Sequence, residues 1–133
     1  GLPWARDWLP LLMGPERDVS GPDPEKNKYW TSVYPWEAVV PMTVLVETVY
    51  GLDFSQALVP ALFWFSDDDQ VVRPDKTHKV AEAWGAPATV ELVTMGPEDD
   101  PMSHVIAGRL MSPDQTEPTV NGILAWLKTQ GIE

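Results

Sequence analysis

Three groups of side chains in this sequence have the types and spacing to do chemistry. Asp67, Asp68 and Asp69 form an acidic run directly after the apolar stretch Val59-Pro60-Ala61-Leu62-Phe63-Trp64-Phe65. His104 follows the segment Ala88–Thr94, with Asp99 and Asp100 just before it. His78, the other histidine, stands between Thr77 and Lys79. A carboxylate that accepts a proton from one imidazole nitrogen fixes the tautomer and stabilises the imidazolium, leaving the other nitrogen to act as a base. The plain alternative for an acidic run is a solvated turn, and for a lone histidine a surface position; His78 reads as surface. A cation site built from Asp67–Asp69 with Asp99 and Asp100 is disfavoured. The spacing does not match a calcium loop, no second histidine is placed for a transition metal, and no metal or other cofactor is expected.

The elements that must position these groups can be read from periodicity. Pro41 suits a first helical position, with Met42, Leu45, Val46, Val49 and Tyr50 at helical spacing after it and Gly51 as the stop. The run Val59–Phe65 fits a strand buried on both faces. Pro74 opens a second helix through Thr77, Val80, Ala81 and Trp84, closed by Gly85. Ala88–Thr94 reads as another strand. Thr116 is placed to cap a last helix carrying Val120, Ile123, Leu124 and Leu127, with Gly131 as its stop. Alternating strand and helix points to an α/β architecture with a parallel sheet. Asp69 and His104 then both lie beyond the carboxyl ends of neighbouring strands, where open α/β sheets place their sites. Only two strands are evident, so two sheet edges and parts of both faces await cover.

Residues 1–40 differ in character. They are rich in Pro, Trp and polar residues, and the stretch from Gly14-Pro15-Glu16 to Gly21-Pro22-Asp23-Pro24 reads as loop. Trp4, Trp8, Trp30 and Trp36 fall here, more aromatic surface than a free loop exposes without covering something.

Size and charge narrow the function classes. A chain of 133 residues with 44% hydrophobic and 22% charged residues suits one globular domain. A formal net charge of −11 disfavours phosphate backbones and anionic membranes. Without cysteine, disulfides and thiolate metal sites are excluded. No apolar run approaches the roughly 20 residues of a membrane span. No signal-peptide pattern opens the sequence, and the expectation is a soluble chain, the cytoplasm favoured. The absence of an initiator Met leads to the expectation of a processed or truncated product.

The stretch from Val59 to Pro74 resembles the penultimate strand and acid loop of α/β-hydrolases: an apolar strand, a small residue, a short polar spacer, Asp, one residue, then two apolar residues. The match puts the triad acid on Asp69, with Asp67 as second choice. Met102-Ser103-His104-Val105-Ile106-Ala107-Gly108 resembles the loop that carries the triad histidine, and Ile123–Leu127 the C-terminal helix that packs on the sheet. The early segment, with Tyr29-Trp30 and Tyr34-Pro35, resembles the variable cap inserted after the sixth strand. The resemblance implies a cap or lid over 1–40 and the C-terminal part of an α/β-hydrolase core over 41–133. It implies an ester or lipid-like acyl substrate, with Trp4, Trp8, Met13 and Trp30 lining an apolar lid, although packing within the cap accounts for these four equally well. The sequence departs from the family in one large respect. No Gly-x-Ser-x-Gly elbow is present, the oxyanion-hole loop is missing, and none of Ser20, Ser32, Ser55, Ser66, Ser103 and Ser112 sits in such a turn. The nucleophile is therefore expected upstream of Gly1, and this chain alone is expected to be inactive. The competing expectation is a non-catalytic acidic interaction module closed by a partner chain. Both predict association, as a homo-oligomer or with a missing N-terminal portion.

Overall fold

The computed structural model describes residues 14–21 and 24–132, and these form two compact units that meet in sequence at Leu52 and Asp53. In the first unit, strand β1 (Glu16–Asp18) pairs antiparallel with β2 (Val33–Pro35), Arg17 facing Tyr34. The ladder is prolonged at both ends, by Val19 N–H on the Ser32 carbonyl at 2.8 Å and by Trp36 N–H on that of Pro15 at 3.4 Å. Helix α1 (Pro24–Tyr29) lies between the two strands. The Arg17 guanidinium stands 5.9 Å from the Tyr34 ring and 5.6 Å from that of Trp36, a cation–π arrangement that ties the hairpin to the next turn. The segment read as loop thus contains a strand. Three residues are too few for a period of two to show.

A 3-10 turn (Trp36–Ala38) leads into helix α2 (Val39–Tyr50), capped by Gly51. The helix begins two residues before Pro41, which occupies its third position. A proline there sacrifices no intrahelical bond, because the first N–H groups of a helix have no intrahelical partner. Met42, Leu45, Val46, Val49 and Tyr50, which share the helical spacing, are all exposed, and so is Val44.

The second unit opens with a 3-10 turn (Phe54–Gln56), followed by β3 (Ala61–Phe65), α3 (Pro74–Ala83), β4 (Ala88–Leu92) and α4 (Thr116–Thr129). Strands β3 and β4 are parallel, with Ala61 opposite Ala88 and Phe65 opposite Leu92. The strand–helix–strand unit expected from the pattern is present, so the fold is α/β in the broad sense. Alternation along β3 separates two faces. Phe63 meets the Trp84 ring edge-on at 5.6 Å and Phe65 meets His78 at 5.0 Å, both on the α3 side. Trp64 points the other way, to α4, where a Cβ on Gly122 would come within 1.9 Å of its indole. Only a residue without a Cβ lets helix and ring approach so closely. Trp126 of the same helix donates from its indole to Thr89 Oγ1 at 3.1 Å.

Several sequence expectations are corrected here. Every β3 residue is only half-buried, and Val90 and Leu92 of β4 are exposed, so β3 is not buried on both faces. One helix on each side of two strands cannot seal them. Among the described residues only Ala81 and Val93 are buried apolar groups. Helix α3 closes at Ala83 with Trp84 as its cap, one residue before Gly85. Thr116 is the first residue of α4 rather than its cap. Its hydroxyl instead donates to the Ser112 carbonyl and accepts from Gly108 N–H, at 3.1 and 2.9 Å. The C-terminus of α4 follows expectation. Gly131 takes the left-handed conformation (φ 76°), its N–H reaches the Lys128 carbonyl, and Ile132 N–H reaches that of Leu127, which together make a Schellman stop. Among the described residues, no helix is long and apolar enough to cross a membrane.

Candidate functional site

The parallel pairing of β3 and β4 sends two loops to one rim. At the end of β3, buried Ser66 starts a tight turn: Asp69 N–H reaches its carbonyl at 3.3 Å, and Asp68 N–H its hydroxyl at 3.3 Å. The turn directs Asp69 inward. Its Oδ1 accepts from Val71 and Val72 N–H at 2.7 and 2.9 Å, and its Oδ2 lies 2.9 Å from His104 Nδ1. The Asp69 side chain is 5% exposed and that of His104 36%. Burial alone raises the Asp69 pKa. The hydrogen bond from His104, the N–H groups of Val72 and Val71 and the attraction of the imidazole outweigh it and hold the carboxyl below its ordinary 3.8. An ionised carboxylate can only accept, so Nδ1 carries the hydrogen and Nε2 of the neutral ring keeps its lone pair.

The two loops are also joined by main chain. Gln70 N–H donates to the Met102 carbonyl at 2.9 Å, and the Gln70 side-chain amide to that of Pro101 at 3.2 Å. The histidine loop is braced by its own two buried aspartates. Asp99 accepts from Gly96 N–H, Asp114 N–H and the Gln115 amide. Asp100 accepts from Met102, His104 and Val105 N–H. These carboxylates serve as loop scaffolding. Among the described residues no three His, Cys, Asp or Glu side chains converge on one point.

The second histidine is not a bare surface residue. His78 Nε2 lies 2.7 Å from Asp67 Oδ1, and its ring packs against Phe65. The signal was present in the sequence: His78 stands three residues before Ala81, the one buried residue of α3, and residues so spaced share a helix face. Asp67 is thereby engaged by His78, not His104.

Of the remaining predicted positions, Trp30 is exposed in the first unit, with Lys26 Nζ 5.6 Å from its ring. Trp4, Trp8 and Met13 lie outside the described residues. Ser103 adopts a positive φ of 52° beside His104, and among the described residues no hydrogen bond links its hydroxyl to the imidazole. A cavity of about 430 Å³ opens between α4 and the sheet, lined by Trp64, Thr89, Glu91, Gly122 and Trp126 among others; neither Asp69 nor His104 borders it.

Comparison of the chain with protein-family models, curated proteins and solved structures gave no match.

Proposed function

We propose that this chain is the C-terminal portion of an α/β-hydrolase in which Asp69 orients His104 as general base and then general acid for a serine nucleophile. One observation supports the reading above the rest: an inward, main-chain-anchored carboxylate is bonded to imidazole Nδ1 at the rim of two parallel strands, with Nε2 left to take a proton. In the reaction, Nε2 removes the proton of a serine hydroxyl as its oxygen attacks the ester carbonyl. The imidazolium then returns that proton to the departing alkoxide. A water molecule repeats the sequence, frees the acid and restores the serine. Asp69 stays ionised throughout and stabilises the transient cation. The nucleophile and oxyanion donors come from outside these 133 residues, and the substrate is a carboxylic ester or lipid-like acyl compound. No cofactor enters this scheme.

The test is ester turnover by the product of the complete open reading frame containing this chain, with short and long p-nitrophenyl acyl esters as substrates. His104→Ala is expected to lower kcat by about 10³-fold or more, as loss of a triad member does. Unchanged turnover rejects the reading. An upstream Gly-x-Ser-x-Gly favours it as well, whereas a reading frame starting at Gly1 favours the interaction module. For the isolated chain, light scattering is expected to report a species larger than the monomer, since among the described residues β3 and β4 each pair on one edge only.

A further inference from the structure

We infer that Asp100 is the positioning residue of His104, fixing the imidazole against Asp69 by holding the main chain on both sides of it. The inference rests on the role proposed above for His104 and extends it to a group the sequence pattern did not single out for that site.

Asp100 is 4% exposed, so its carboxylate must find partners inside the protein. Three of them lie in the histidine loop. Oδ1 accepts from Met102 N–H at 3.2 Å, and Oδ2 accepts from His104 N–H at 3.1 Å and from Val105 N–H at 2.9 Å. The clamp is closed from behind by Ser112, which is fully buried. Asp100 N–H donates to its hydroxyl oxygen at 3.1 Å, and the same hydroxyl donates to the Val105 carbonyl. Ser103, held by its own N–H on the Asp100 carbonyl at 2.8 Å, turns through φ 52° and hands the chain to His104. A non-glycine residue in that conformation persists only where its surroundings impose it. His104 is therefore gripped at its own N–H and that of the next residue, while its ring remains free to meet Asp69.

Asp99 supplies the internal control. It is equally buried and also binds three donors, but those donors lie at Gly96, Asp114 and Gln115 and none in 102–105. Both aspartates stabilise the loop, and only Asp100 grips the segment that carries the imidazole.

The experiment is a long-range proton–nitrogen spectrum of the His104 ring in the 133-residue chain, at a pH where the ring is neutral. The wild type is expected to show the Nδ1–H form. In Asp100→Asn the amide nitrogen cannot accept, so at least one grip is lost. The ring is expected to revert toward the Nε2–H form that free imidazole side chains prefer. Asp99→Asn is expected to lower the melting temperature and keep the Nδ1–H pattern. Should Asp100→Asn fail to fold, Ser112→Ala replaces it, with a smaller displacement in the same direction. A wild-type Nδ1–H pattern that survives Asp100→Asn, or Ser112→Ala in its place, overturns the inference, and so does equal loss in Asp99→Asn. The readout is independent of ester turnover: an undisturbed tautomer refutes the positioning role alone, and unchanged turnover in His104→Ala refutes the hydrolase reading alone.

Discussion

Two histidine–aspartate pairs leave the same acid loop, and they are built differently. In Asp69–His104 the carboxylate is 5% exposed and takes two main-chain N–H groups besides the imidazole. In Asp67–His78 the carboxylate is 52% exposed and, among the described residues, the imidazole is its one side-chain hydrogen-bond partner. The contact distances, 2.9 and 2.7 Å, do not separate the pairs and would rank them in the wrong order. Burial and accounting for backbone donors do separate them. A buried carboxylate that satisfies main-chain groups has one orientation, and it transmits that orientation to its histidine. An exposed one is screened and free to exchange its partner for water.

The largest expected effect sharpens this contrast through stability. Asp69→Ala leaves two loop N–H groups and the His104 ring without an acceptor. It should cost about 2–4 kcal/mol in denaturant unfolding, given the usual cost of orphaned buried donors. Asp67→Ala should cost less than about 1 kcal/mol, as exposed pairs do. Equal costs would erase the distinction.

Next comes a change that should leave both pairs alone. Gly122→Ala drives a methyl group into the Trp64 ring on the opposite side of β3. It should destabilise by about 1–3 kcal/mol, the range for overpacking, while the resonances of both histidines hold their positions. A shift at His104 would mean that the rim senses packing across the sheet.

Acidity offers a finer probe. The Asp69 pKa is lowered in the folded state relative to 3.8, so the folded protein binds fewer protons at that group than the unfolded chain. Its stabilising contribution is complete above the ordinary carboxylate range and drains away as pH falls through the lower, folded value. The stability gap between wild type and Asp69→Asn should therefore shrink as pH falls below about 4. A gap that widens as pH falls below about 4 would contradict the assigned shift.

The smallest effect belongs to Ser103. Glycine accepts φ 52° without the penalty of a side chain. Ser103→Gly should gain less than about 1 kcal/mol, because added freedom in the unfolded chain offsets part of the relief.

What the sequence disclosed depended on range. The β3–α3–β4 unit was legible because a continuous apolar run, a Pro-opened helix and a second apolar run are local signals, and their parallel pairing brings Asp69 and His104 together by topology alone. The Asp100 clamp was not legible. Its donors lie within five residues, but its backing group is Ser112, and nothing local announces that the loop closes there. The β1–β2 hairpin was missed because strands as short as Glu16–Asp18 carry no period. The pairing of His78 with Asp67 was not legible because its neighbours Thr77 and Lys79 are polar, although its helix face is shared with Ala81.

The most direct test of the central claim is kcat of the full reading-frame product on a p-nitrophenyl ester with Asp69→Asn beside Asp67→Asn. The account predicts a fall of about 10³–10⁴-fold for the first, which loses the carboxylate that sets the tautomer, and less than about threefold for the second, an exposed pair. The reverse order, or two equal values, would contradict it.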